Sequence, residues 1–173
     1  MNIDDWSEQD KIKLGNYLQW SSYRSERHKL LYVATPKVAC TTIKWWFAAL
    51  EGYSDDLRQL TDSAESDPEL IIHDSHRVAP NVTGINFQDL KNCLESDSFF
   101  RFAVVRNPYK RIFSAWQSKI LVREPLQANR YIGTDFYHHP IASASDITNA
   151  FEQFLEHVAL NEALSYWDQH WTP

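Results

Sequence analysis

Two stretches of the chain share one plan: an apolar run, a break, then a pattern of helical period. The first is Leu30 to Phe47, LLYVATPKVACTTIKWWF. Leu30 to Ala34 is apolar and rich in β-forming residues, which predicts a buried strand. Thr35-Pro36 interrupts it, and Ile43 to Leu50 carries a helical pattern. The second stretch is Phe102 to Lys119, FAVVRNPYKRIFSAWQSK. Phe102 to Val105 predicts a strand, Arg106-Asn107-Pro108 ends it, and a helix carrying Ser114 follows. Both strands are apolar at successive positions, as central strands covered on both faces are. The expected fold is therefore a three-layer α/β, P-loop-like arrangement, with a mainly parallel central sheet flanked by helices.

The remaining pattern is weaker. Residues 7–20 predict a short amphipathic helix with Ile12, Tyr17 and Leu18 as its apolar face. Ser21 to Lys29 is a polar connector. Gly52 is placed to end the helix after the first loop. Asp55 to Glu69 is acidic and reads as a helix fragment or loop. Leu70 to His73 is a short strand candidate that runs into His73-Asp74-Ser75-His76. Asn86 is an N-cap candidate for a helix from Phe87 to Leu94, with Leu90 and Leu94 inward. Glu124 to His139 lacks periodicity and reads as a surface loop or lid. Ser145 or Asp146 then caps the clearest amphipathic helix, with Phe151, Phe154, Leu155 and Val158 at i, i+3, i+4 and i+7.

Chemistry enters at the two breaks. A strand, a tight loop and a helix aim several backbone N–H groups and the positive end of a helix dipole at one spot, which suits an anion. Lys37 adds a full charge there, and Thr41 and Thr42 add hydroxyls. The loop is not a Walker loop, because it has no glycine and its lysine precedes the threonines. Taken alone, it reads equally well as a turn capped by Thr41 beside a solvated Lys37.

Together the two stretches resemble the 3′-phosphoadenosine-5′-phosphosulfate-dependent sulfotransferases, most closely their membrane-type carbohydrate branch and its bacterial relatives. That family carries a PK-x-[AG]-[CS]-T-[ST] loop for the 5′-phosphosulfate, matched by Pro36-Lys37-Val38-Ala39-Cys40-Thr41-Thr42. Its V-R-[DN]-P-[FY]-x-R-x-x-S segment holds the 3′-phosphate, and is matched from Val105 and Arg106 through Arg111 to Ser114. The resemblance implies donor binding by Lys37, Val38, Ala39, Cys40, Thr41, Thr42, Arg106 and Ser114. It also implies sulfuryl transfer to a hydroxyl of a carbohydrate or polysaccharide, with Lys37 stabilising the leaving phosphate and no metal. A base is needed for the acceptor hydroxyl, and histidine suits neutral pH. His76 is placed first and His73 second, because uronyl 2-O-type sulfotransferases carry H-x-H-V where this chain has His73-Asp74-Ser75-His76-Arg77-Val78, one residue out of step. His138, His139 and His170 are weaker candidates. Asp168 to Pro173 resembles the family's H-W-x-P segment, beyond which the family continues, so truncation at the C-terminal side stays open.

Composition narrows the remaining choices. The chain has 173 residues, 43% apolar and 14% aromatic, enough for one globular domain. Residues 1–29 read as a helical lead-in and 30–173 as the nucleotide-binding core. A net charge of −6 argues against nucleic acid as partner. Six basic residues and no acidic one from Arg101 to Arg123 nevertheless form a local positive basin. No apolar run reaches the ~18 residues of a membrane span, and the acidic start MNIDDWSEQD is unlike a signal peptide. Two cysteines, Cys40 and Cys93, make no disulfide framework. The expected setting is cytoplasmic, for a bacterial source, rather than membrane-anchored or Golgi. Two alternatives remain: a catalytically inactive nucleotide- or carbohydrate-binding module on the same scaffold, and a small-molecule P-loop kinase. The kinase reading is disfavoured because Arg106, not Asp, follows the second strand.

Overall fold

A computed structural model of the chain describes residues 7–60, 68–122, 133, 143–160 and 170–171. The chain divides into two units, Met1–Thr35 with Ala39–Val105, and Pro36–Val38 with Arg106–Pro173.

In the first unit, helix α1 (Glu8–Ser21) leads directly into strand β1 (Ser22–Ser25). A turn with Lys29 at φ 53° returns the chain as β2 (Leu30–Val33). Helix α2 (Cys40–Glu51) follows, then the short α3 (Ser54–Arg58) and a 3₁₀ segment, Pro68–Arg77. Helix α4 (Phe87–Glu95) and strand β3 (Phe100–Ala103) complete the unit. The sheet order is β1-β2-β3. β1 runs antiparallel to β2 with Tyr23 opposite Tyr32, and β3 runs parallel to β2 with Val33 beside Ala103.

Alternation along β2 explains the layers. Tyr32 faces a core built with Phe47 and Ala48 of α2, Leu57 of α3 and Ile72 of the 3₁₀ segment. Leu31 faces the opposite core, with Leu90 and Cys93 of α4, Ile85 and Phe99, and Leu18 of α1 packed against it. Helices thus cover both faces of β2, as expected for three layers. Aromatic rings fill the first core: Tyr32 stacks on Phe47 at 6.1 Å and on Phe102 at 5.1 Å between ring centres.

Several expectations are corrected. The sheet among the described residues is small and mixed, since one of its two pairings is antiparallel. The polar connector Ser21–Lys29 holds a strand, because Ser22 and Ser25 are buried by pairing against β2 and Tyr23 supplies the apolar contact. The second predicted strand, expected within Phe99 to Val105 and to run through Val105, ends at Ala103 and lies beside β2 at the edge of this sheet. Phe100 there is 66% exposed and Val105 84%. An unbroken apolar run does not reveal whether both of its faces are covered. Leu70 to His73 is 3₁₀ helix, not strand. Its isoleucines are adjacent, Ile71 and Ile72, and both are buried on one turn. Ile12 and Leu94, expected inward, are exposed.

Other local signals act as read. Gly52, at φ 80°, ends α2, and its N–H reaches the Ala48 carbonyl. Asn86 caps α4 by accepting a hydrogen bond from the Asp89 N–H at 2.9 Å.

In the second unit, helix α5 (Pro108–Trp116) is capped by Asn107, whose Oδ1 accepts from the N–H groups of Tyr109 and Lys110. Pro108 at the first helical turn costs no hydrogen bond there. The helix widens into a π turn, Gln117–Leu121, with the Val122 N–H bonded to the Gln117 carbonyl. Helix α6 (Ala144–Leu160) packs Ala150 and Phe154 against Trp116 and Ile120, with Trp171 edge-on to Phe154 at 5.3 Å. The cap of α6 is Ser143 rather than Ser145 or Asp146. Ser143 Oγ accepts from the Asp146 N–H and Asp146 Oδ2 accepts from the Ser143 N–H, a reciprocal box. Leu155, expected inward on that helix, is 36% exposed. The predicted loop Glu124–His139, with His138 and His139, lies outside the described residues apart from Gly133.

Candidate active site

Both sequence motifs follow the carboxyl ends of paired parallel strands. Val33 and Ala103 are in register, so the chain leaves β2 toward Lys37 and β3 toward Arg106 from level ends of the same sheet. Ligands of open α/β sheets gather at such ends.

The Lys37 loop turns without glycine by placing two residues in the left-handed region, Lys37 at φ 64° and Ala39 at φ 65°. Non-glycine residues pay for that region sterically, on the order of 1 kcal/mol each. Ala39 stands at the start of α2 with no side chain to cap it, and its carbonyl receives the Ile43 N–H at 3.2 Å. The first-turn N–H groups of α2 therefore lack a side-chain cap at Ala39, and no acidic residue stands in that turn. Val38 is buried, Cys40 is a half-buried free thiol, Thr41 is half-buried and Thr42 exposed.

Within the second unit, three side chains hold Pro36–Val38. Arg106 Nη1 donates to the Lys37 carbonyl at 3.2 Å, and Arg111 Nε to the Pro36 carbonyl at 3.3 Å. Lys37 Nζ donates to Ser118 Oγ at 2.6 Å. Ser118 in turn donates to the Ala115 carbonyl at 3.3 Å. The lysine and two guanidinium groups are thus gathered on one short loop, a donor set that fits an anionic ligand. Arg106 is exposed and Ser114 half-buried on α5. Ser118 was missed by the sequence reading. It lies one helical turn beyond Ser114, inside the π turn, and that i, i+4 spacing was the available signal.

The two leading histidines sit on the 3₁₀ segment of the first unit, which α2 holds in place. Trp45 Nε1 donates to the Glu69 carbonyl at 3.1 Å. His76 is exposed and meets the Trp20 ring edge-on at 5.5 Å. His73 is also exposed, and its Nδ1 lies 3.3 Å from Lys44 Nζ. Partial burial lowers the proton affinity of the Lys44 ammonium, partly opposed by Cys40 one turn back. Sequence reasoning missed Lys44 because it sits within the aromatic run of α2. Among the described residues no group of histidine, cysteine and carboxylate side chains could hold a metal ion, and no helix is long and apolar enough to cross a membrane.

A family model described as "Sulfotransferase family" matches residues 20–173. The chain belongs to the sulfotransferase family. Its relatives include carbohydrate sulfotransferase 10 of Xenopus laevis, 28% identical over 121 residues, covering 69% of this chain and 30% of that protein. The human carbohydrate sulfotransferase 10 is 27% identical over 97 residues, 56% of this chain and 25% of that protein. Carbohydrate sulfotransferase 11 of Rattus norvegicus is 29% identical over 115 residues, 63% of this chain and 29% of that protein. The chain thus spans less than a third of the length of these relatives. No solved structure matches it.

Proposed function

We propose that this chain carries the donor site of an enzyme that moves a sulfuryl group from 3′-phosphoadenosine-5′-phosphosulfate to a hydroxyl of a carbohydrate. The observation that carries the reading is the pair of motifs leaving level ends of the parallel strands β2 and β3, with Lys37, Arg106 and Arg111 drawn onto one loop. The names of the relatives, carbohydrate sulfotransferases 10 and 11, support the acceptor class.

In this reading the backbone N–H groups of Val38 to Thr42 and the start of α2 receive the 5′-phosphosulfate. Arg106 and Ser114 take the 3′-phosphate, the guanidinium by a two-pronged grip. The acceptor oxygen attacks sulfur as the bond to the bridging phosphate oxygen breaks, and the electron pair leaves with the phosphate. Lys37 stabilises the charge that grows there. An imidazole of the His73–His76 segment removes the acceptor's proton, and the sequence resemblance puts His76 forward. No metal is needed, since positioning and charge stabilisation carry the reaction.

The test is calorimetric titration of the chain with adenosine 3′,5′-bisphosphate and, separately, with ATP and Mg²⁺. Binding of the bisphosphate alone, weakened in Lys37→Ala, is the expected result. Preference for ATP with Mg²⁺ would make the protein a kinase. Bisphosphate binding without transfer to any carbohydrate acceptor, in the longest natural form of the protein, would make it a binding module.

A further inference from the structure

We propose that the exposed Trp20 ring is the platform on which the carbohydrate acceptor stacks, with a hydroxyl of the stacked pyranoside set against the imidazole of His76. This deepens the sulfotransferase reading and rests on it for the role of the bound sugar as acceptor.

Trp20 is the penultimate residue of α1 and is 58% exposed. A large ring left in water keeps apolar area that a ligand can cover. Its place is nevertheless set by packing. The indole and the His76 imidazole lie 5.5 Å apart between ring centres, with their planes 86° to one another. Gly84 stands beside both. A Cβ there would lie 3.3 Å from Trp20 Cζ3 and 3.5 Å from His76 Cβ, and the backbone is left-handed at φ 69°, so glycine suits the position twice over.

The segment carrying Gly84 is tied down on both sides. Tyr23 and Thr83 form an antiparallel bridge, and the Arg24 N–H donates to the Val82 carbonyl at 2.7 Å. The Thr83 N–H donates to the Ala79 carbonyl, and the Ala79 N–H to the Ser75 carbonyl. These bonds join β1, which follows Trp20, to the 3₁₀ segment that carries His76. The corner between the two rings is therefore built by the fold rather than by one loose side chain.

The corner also lies at the right end of the sheet. Ser22, two residues after Trp20, pairs with Val33, the last residue of β2. The Ala34 N–H donates to the Ser21 carbonyl at 2.8 Å, and the Tyr17 hydroxyl to the Ala34 carbonyl at 2.7 Å. The last turn of α1 is thus fastened to the point where the chain leaves β2, the end at which ligands of α/β sheets gather.

The surroundings select a sugar. Asn16, one helical turn before Trp20, is exposed, and so is His76. A single aromatic face with polar neighbours differs from the contiguous apolar patch that a protein partner covers. A pyranoside divides in the same way, with a C–H face that lies on an aromatic ring and a rim of hydroxyls. Because the two rings are perpendicular, the rim of a sugar lying on the indole meets the imidazole, whose nitrogens donate and accept. An adenine also stacks on an aromatic ring, but it lacks that rim of hydroxyls.

The test follows the Trp20 indole N–H by NMR in the full chain, its signal identified by its loss in Trp20→Tyr. The probes are methyl β-galactoside, methyl β-glucoside and methyl β-glucuronide. At least one should shift the Trp20 signal saturably, and adenosine 3′,5′-bisphosphate should not. Saturation transfer to the sugar protons then reads affinity in the variants. Trp20→Ala should weaken that glycoside about tenfold, and Trp20→Tyr, which keeps a flat ring, about threefold or less. Bisphosphate affinity should stay within about twofold in both variants, which also reports that they fold. A Trp20 signal unmoved by all of the glycosides overturns the proposal, as does a Trp20→Ala chain that binds them as the wild type does. A shift caused by the bisphosphate assigns the ring to the donor's base and overturns it too. Glycoside binding at Trp20 in a wild type that does not bind the bisphosphate upholds the platform and strikes the sulfotransferase reading alone.

Discussion

At the scale of single residues, Arg106 joins two roles that are separable by experiment. Its guanidinium donates to the Lys37 carbonyl and helps hold a loop whose backbone is strained at Lys37 and Ala39. The proposed function also gives it the donor's 3′-phosphate. Arg106→Ala should weaken adenosine 3′,5′-bisphosphate by on the order of 2–4 kcal/mol, and its 3′-dephospho analogue far less. Titrating both ligands into both proteins decides this, and equal losses would assign Arg106 to loop structure alone. The identities of Lys37 and Arg106 were legible because each sits in a motif after a strand. Their contacts were not, since Ser118 lies 81 residues from Lys37. Only the folded chain could show that Lys37 meets Ser118. Lys44 was illegible for a related reason: a lysine inside an aromatic helix reads as a solvated exception until the helix face and its neighbours are known.

At the scale of elements, caps were easier to read than strands. Asn86, Asn107 and Gly52 each occupy positions where local hydrogen bonding or left-handed backbone decides the outcome, and local sequence holds that information. Strand edges depend on what covers a face, which no short window contains. The same limit explains why the SYRS segment became β1 and why ELIIH became 3₁₀ helix. The α6 cap shows how small the margin is: Ser143, Ser145 and Asp146 are all capable, and the reciprocal box selects Ser143 with Asp146 as its partner. Ser143→Ala should therefore cost about 1 kcal/mol of stability, and Ser145→Ala only a few tenths. Urea unfolding of the two variants beside the wild type checks this. A larger loss at Ser145 would return the cap to that residue.

At the scale of the whole chain, the sequence reading found the α/β class and the strands that carry the motifs, and the mixed sheet is where it went astray. A second property of the fold follows from what fills its first core. Tyr23, Tyr32 and Tyr53 are each buried to within a few per cent, alongside Phe47 and Leu57. The Tyr32 hydroxyl is buried with no hydrogen-bond partner among the described residues. Burial pushes Tyr23 up to about 12, with hydrogen bonds to the Thr83 and Ser75 side chains working the other way. Tyr32 and Tyr53 are raised further, again chiefly by burial. In each case the folded state prefers the neutral phenol more than the unfolded chain does. The corresponding stability is fully present below about pH 10, where phenols in the unfolded chain ionise. It is lost as pH rises from there through the folded values. For Tyr23 this preference corresponds to about 3 kcal/mol. Stability should hold level approaching pH 10 and then fall steeply, with phenolate absorbance and loss of helical circular dichroism rising together rather than in sequence. Tyr32→Phe keeps the stacked ring and removes an unpartnered hydroxyl, so it should shift the alkaline midpoint upward with little cost at neutral pH. Early phenolate formation in a chain that keeps its circular dichroism would show instead that these hydroxyls reach water in the folded state.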